Sequence, residues 1–130
     1  MGTLAEVVRP DFITVAPEDT LGEVAERMTG KNVGAVIVKD HGRMIGILTE
    51  RDMLRAMAAR VHTSDARVRQ FMTADPITAA ADMDLEEAAS IILDNGFRHL
   101  PVLEGDSVIG IASLRRVLGG RRHAAPEAAA

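Results

Sequence analysis

The sequence predicts a mixed α/β fold (α+β) of two β-α-β-β-α units, packed sheet to sheet about a pseudo-twofold axis, on three observations. First, residues 11–54 align with 75–118 without a gap, giving 13 identities in 44 positions, among them Ile13/Ile77, Thr14/Thr78, Leu21/Leu85, Glu23/Glu87, Val38/Val102, Gly46/Gly110 and Leu54/Leu118. Two copies at a 64-residue period make a duplicated unit rather than a solenoid, whose repeats run about 20–50 residues. Second, each copy carries the same succession of a short extended piece, a helical stripe, two apolar runs and a second helical stretch. Third, the apolar runs are nearly continuous rather than alternating, as in sheets covered on both faces. Half a chain of this length buries too little surface to be stable alone, so the two copies are expected to pack together.

Each copy opens on an extended tripeptide, Ile13-Thr14-Val15 and Ile77-Thr78-Ala79, held off helical geometry by Pro17 and Pro76. Thr20 and Glu23 form a T-x-x-E capping box ahead of the stripe Leu21, Val24, Ala25, Met28; Asp84 is the expected cap of the matching stripe Leu85, Ala88, Ala89, Ile92. Gly30 with Asn32, and Asn95-Gly96, supply the stops. Strands follow at Val33–Val38 and Met44–Leu48 around the turn 39–42, then at Phe97–Leu103 and Val108–Ala112 around 104–107. Pro101 inside its strand implies an edge or a ligand-facing backbone. Closing helices run from Glu50 to about Ala59 and from Leu114 to about Leu118. The expected boundaries are a first unit at 4–60, a polar linker at 61–67, a second unit at 68–119 and a disordered Ala-rich tail at 120–130.

Composition narrows the function. The chain of 130 residues is 47% hydrophobic and 2% aromatic, with a formal charge of -4, so a general attraction to nucleic acid or to an anionic membrane is not expected. The absence of cysteine excludes disulfides, thiolate zinc sites and thiol nucleophiles, and suits a reducing cytoplasm. Met1 to Pro10 has no apolar leader and no run approaches the roughly 18 residues of a membrane span; an unexported cytoplasmic protein is expected. No nucleophile–base pair, Walker loop or metal cluster stands out, so neither a catalytic nor a metal site is assigned and no enzyme is expected. His41, His62 and His123 fall in turn, linker and tail, without ligand spacing. Met28, Met53 and Met57 fit a core or a dimer interface.

Several segments together resemble one family. They are Ile13-Thr14-Val15, Asn32-Val33-Gly34-Ala35-Val36-Ile37-Val38, Gly46-Ile47-Leu48-Thr49-Glu50-Arg51-Asp52, Pro76-Ile77-Thr78, Arg98-His99-Leu100-Pro101-Val102 and Gly110-Ile111-Ala112-Ser113. In this order and register they resemble the tandem cystathionine-β-synthase (CBS) domain pair, the Bateman module, over roughly Leu4 to Leu118, in its small stand-alone bacterial form. The resemblance implies a disc-shaped homodimer that binds an adenosine compound (AMP, ADP, ATP, S-adenosylmethionine or NAD) in the clefts between copies and acts as a metabolite sensor on a regulated protein the residues do not specify. No cofactor is required; the adenosine compound would be a regulatory ligand. The other reading is a structural or interaction pair whose ligand sites are vestigial.

The resemblance places the first site at Ile13, Thr14, Ala35, Val36, Ile37, Thr49, Arg51 and Asp52. A ribose offers two adjacent hydroxyl donors, which the Asp52 carboxylate can accept. A phosphate wants N–H donors and positive potential, available at the helix start with the Thr49 hydroxyl. Adenine needs an apolar slot, which the family pattern puts at Ile13, Thr14 and Ala35 to Ile37. The same Thr49-x-x-Asp52 spacing is equally a helix-capping pair, with Thr20-x-x-Glu23 as the comparison outside the ligand motif. Arg51 reads as a phosphate contact or a solvated side chain. The second site, at Ile77, Thr78, Arg98, His99, Leu100, Pro101, Ser113 and Arg116, departs at the decisive position, because Arg116 cannot accept from a diol. With Arg98, Arg115 and His99 it makes either a phosphate-attracting cleft or a solvated basic face, so unequal sites are expected.

Overall fold

The computed structural model describes residues 2–120, and the expected tail lies outside them beyond Gly120. In chain order the elements are a 3-10 turn (Leu4–Glu6), β1 (Thr14–Val15), α1 (Leu21–Lys31), β2 (Ala35–Asp40), β3 (Arg43–Thr49), α2 (Glu50–Ala58), α3 (Val68–Phe71), β4 (Thr73–Ala74), β5 (Ala79–Ala80), α4 (Leu85–Asn95), β6 (His99–Glu104) and β7 (Ser107–Ser113). A helix over 114–120, α5, follows directly. One compact unit runs from Phe12 to Pro76, and the other joins the residues up to Asp11 to those from Ile77 onward.

Sequence copy and folded unit are therefore offset. Each unit is completed by the segment that precedes the other copy. In the first unit, strand order β1-β2-β3-β4 puts Thr73 opposite Ile47; in the second, Arg9 stands opposite Ile111, one repeat period away. Thr20↔Arg67 and Thr3↔Asp84 form a second such pair of bridges. The offset explains the repeated glycines within the strands. A Cβ at Gly46 would lie 2.8 Å from the Thr73 carbonyl oxygen, and one at Gly110 2.7 Å from that of Arg9.

The local signals work as expected at most ends. The Thr20 hydroxyl accepts from the Glu23 amide at 3.2 Å and donates to its carboxylate at 2.8 Å. Asn32 (φ 55°) and Gly96 (φ 75°) end α1 and α4 in the left-handed region, which asparagine and glycine enter at low cost. His41 and Gly42 both take positive φ, as a two-residue hairpin turn requires. Asp84 occupies the N-cap position without capping. The Leu85 amide is taken by the Gly2 carbonyl at 3.0 Å instead, as that of Leu21 is by Ala66, so the cap is supplied by backbone from the adjoining segment. Pro101 is likewise not at an edge: β6 is the middle strand of β5-β6-β7.

Each unit has its own core on one sheet face. Leu21, Val24 and Met28 of α1 pack with Ile13, Val15, Val36, Val38, Leu48, Ala56, Ala66 and Val68. Leu85, Ala88, Ala89 and Ile92 of α4 pack with Leu4, Leu100, Val102, Ala112 and Val117. The stretch 61–67 is fitted rather than loose: Thr63 and Ala66 carbonyls take the Gly22 and Leu21 amides, at 2.9 and 3.0 Å. Leu4 is fully buried although it lies outside the aligned repeat. Leu4→Ala is expected to cost about 2–5 kcal/mol of unfolding free energy, measured by urea denaturation, whereas Ala5→Ser beside it, at an exposed position, changes little.

Candidate ligand site

The period-two alternation of β2 divides the first set of predicted residues between two faces. Ile13 and Val36 lie in the helix-covered core with Val15, Val38 and Leu48. Register places Thr14 with Ile37, Ile37 with Ile47, and Ala35 with Thr49 on the other face. Ala35 and Ile37 are buried there too, in keeping with the continuous apolar run. Thr14, Ala35, Ile37 and Thr49 are thus brought together on one face of the sheet, and Ile13 and Val36 support it from the opposite one. The Ile13 carbonyl accepts from the Ile37 amide at 3.0 Å, and the Thr14 carbonyl from the Arg27 guanidinium at 3.1 Å. Arg27 carried no sequence signal tying it to the site, and Ile47 was part of the Gly46–Asp52 motif without being singled out.

Thr49 ends β3 and caps α2, and Asp52 follows on the first turn. The Asp52 Oδ2 accepts from the Thr49 amide at 2.8 Å and from its hydroxyl at 3.1 Å, while the Asp52 amide donates back to the Thr49 hydroxyl at 3.4 Å. The capping geometry is complete. The other carboxylate oxygen, Oδ1, lies 3.4 Å from the Arg55 guanidinium; the carboxylate side chain is 3% exposed and that of Arg55 63%. Asp52 is the single buried carboxylate of the described residues, and burying one demands such donors. Of the first-turn amides, Glu50 donates to the Gly34 carbonyl at 2.9 Å and Asp52 to Thr49. The Arg51 amide is the donor left for an anion, beneath an exposed side chain.

The second set repeats this frame with altered chemistry. His99 opposes Ser113 and Pro101 opposes Ile111 on one face of the β6-β7 pair, whereas Leu100 belongs to the helix-covered core. The Leu114 amide donates to the Arg98 carbonyl at 2.7 Å and the Arg116 amide to the Ser113 hydroxyl at 3.2 Å, matching Glu50 and Asp52. Pro101 has no N–H to give the Ile77 carbonyl, so the bond that Ile37 makes to Ile13 is not repeated; β5 starts at Ala79, and Ile77 is 46% exposed where Ile13 is 4%. Thr78 is half-buried and Arg98 exposed. The Arg116 guanidinium donates to the Val7 carbonyl at 3.3 Å. At the place of the Asp52 acceptor, this copy presents a guanidinium that gives one N–H to backbone.

No group of three metal-ligating side chains occurs among the described residues, and no described helix is long and apolar enough to cross a membrane. A family model for the CBS domain matches twice, over residues 4–59 and 68–122. A 17.7 kDa uncharacterised protein of Acidianus ambivalens is 34% identical over 114 residues, covering 86% of this chain and 68% of that one. An uncharacterised Methanopyrus kandleri protein is 34% identical over 119 residues, 89% of this chain, which spans 61% of its length. A protein with CBS domains from Burkholderia ambifaria superposes with a TM-score of 0.86 at 28% identity, covering 92% of this chain and 93% of that one. CBSX2 in complex with AMP matches with a TM-score of 0.77 at 22% identity, over 95% of this chain and 98% of that one. The CBS domain pair of MJ0100, in complex with 5'-methylthioadenosine and S-adenosyl-L-methionine, matches at 0.81 and 24%, over 93% and 98%. The duplicated frame, its register and these matches agree, and the chain belongs to the CBS-domain family as a tandem pair.

Proposed function

We propose that the protein is a regulatory module that binds an adenosine-containing ligand through its first copy, with Asp52 taking the ribose diol, Thr49 and the Arg51 amide taking phosphate, and the Thr14, Ala35, Ile37 face taking the base. The observation that carries this reading is the buried Asp52 carboxylate, set beside helix-start donors in one copy and replaced by Arg116 in the other. The complexes of CBSX2 with AMP and of MJ0100 with two adenosine compounds support the ligand class. A homodimer fits the exposed Leu54 and Met57, at 65% and 73%, one turn apart on α2, and the cysteine-free composition fits the cytoplasm.

A thermal-shift series with AMP, ADP, ATP, S-adenosylmethionine and NAD tests the proposal. At least one is expected to raise the melting temperature, by about 3 kcal/mol of added stability at a hundredfold excess over Kd. No shift at millimolar concentration with any of them sinks it. The complete capping geometry of Asp52 favours a second reading, a structural pair with vestigial sites. That form would purify without an ultraviolet-absorbing ligand, readily seen because the chain has no Trp or Tyr.

A further inference from the structure

Both oxygens of the Asp52 carboxylate have a donor group beside them. Oδ2 takes two donors from Thr49, the amide at 2.8 Å and the hydroxyl at 3.1 Å. A carboxylate oxygen offers two lone-pair sites, so Oδ2 is full while the cap stands. Oδ1 also offers two sites, and with Oδ2 full the two hydroxyls of a cis-diol need both of them; the Arg55 guanidinium stands against it at 3.4 Å as an ion pair. The Asp52 side chain is 3% exposed and that of Arg55 63%, so the arginine is free to swing into solvent while the carboxylate stays. Arg55 lies in the last turn of α2; a phosphate held at the Thr49 end does not call on it.

We propose that Arg55 is a latch on the ribose-accepting oxygen: it occupies Asp52 Oδ1 in the free protein, and a cis-diol binds by displacing it. The inference rests on the ribose reading above and adds to it a residue that sets affinity by competition. The guanidinium leaves as the diol arrives, so the buried charge exchanges one set of donors for another and is never left bare. Arg55 is a positioning residue under this inference; it touches no ligand.

The measurement is isothermal titration of the full-length protein with adenosine, whose neutrality removes any general effect of a lost positive charge, comparing wild type, Arg55→Met and Asp52→Asn. Met keeps the helix propensity and removes the donors. Exposed ion pairs are worth little, so Arg55→Met is expected to tighten adenosine by about two- to fivefold. Wild-type affinity is expected to rise with salt as the ion pair is screened, and that of Arg55→Met to stay flat. The probe 2',3'-dideoxyadenosine, which lacks the diol, is expected to bind wild type and Arg55→Met alike. Unchanged or weaker adenosine binding by Arg55→Met, or an equal gain for the dideoxy compound, overturns the latch while leaving the ribose reading in place. Wild-type binding that Asp52→Asn leaves intact, or no wild-type binding of either adenosine or AMP, overturns the ribose reading and the latch together.

Discussion

Gly46→Ala and Gly110→Ala are each expected to destabilise the protein by about 1–3 kcal/mol, the range for forcing an extra carbon into a packed site. At Gly46 the added Cβ meets the Thr73 carbonyl oxygen at 2.8 Å and the Met72 sulfur at 2.9 Å; at Gly110 it meets the Arg9 carbonyl oxygen at 2.7 Å and the Val8 Cβ at 3.1 Å. Methionine can swing aside, but a carbonyl belongs to the chain. Relief therefore means shifting β4, or the segment at Arg9, off the sheet it completes. Gly30 in α1 is the control, since a Cβ there meets nothing within 4 Å and its conversion to Ala is expected to stabilise by about 0.5–1 kcal/mol. Urea unfolding of the three variants measures all of this. A Gly46→Ala protein as stable as wild type would show that the exchanged segment does not constrain β3.

Asp52→Ala is expected to have two separable effects. It removes the N3 acceptor of the α2 capping box, leaving the Thr49 amide and hydroxyl without their partner, at a cost of about 1–3 kcal/mol. It also removes the ribose acceptor, so the melting-temperature rise produced by an adenosine ligand is expected to vanish. Thr20→Ala separates the effects: it breaks the corresponding box of α1 at about 0.5–2 kcal/mol and should leave the ligand-induced shift at its wild-type size. If Asp52→Ala lowers stability yet responds to ligand as wild type does, Asp52 is a cap and nothing more. The comparison is informative because both residues sit at a helix start of the same repeated frame, and Asp52 alone is proposed as a ligand contact.

The fold was legible in sequence wherever a signal was local and repeated. The 64-residue echo, the Thr20 box, the Asn32 and Asn95-Gly96 stops and the apolar runs placed α1, α4 and both hairpins to within about two residues, because each rests on spacing along one stretch of chain. The segments 3–10 and 67–74 were not recognised as equivalent. They share no residue type at any aligned position, although they make matching bridges and matching amide contacts. Apolar residues recur at Leu4/Val68, Val7/Phe71 and Val8/Met72, but backbone carries the bridges, and no identical residue marks the equivalence. The visible trace sits on the receiving side, in Gly46 and Gly110, where lack of a side chain is what close approach requires.

The sequence by itself determined the duplicated β-α-β-β-α pattern, the family and the unequal chemistry of Asp52 and Arg116. All three depend on residue identities at a fixed spacing. Only the tertiary structure decided which segment completes which unit, which sheet face each candidate occupies, and what Arg116 holds. Asp52 bonds Thr49 and pairs with Arg55, each three residues away, as its capping spacing foretold, whereas Arg116 bonds the Val7 carbonyl over a separation of 109 residues. Contacts between residues distant in the chain, made largely to backbone atoms that every residue possesses, have no signature in a linear sequence; they exist once the chain has folded.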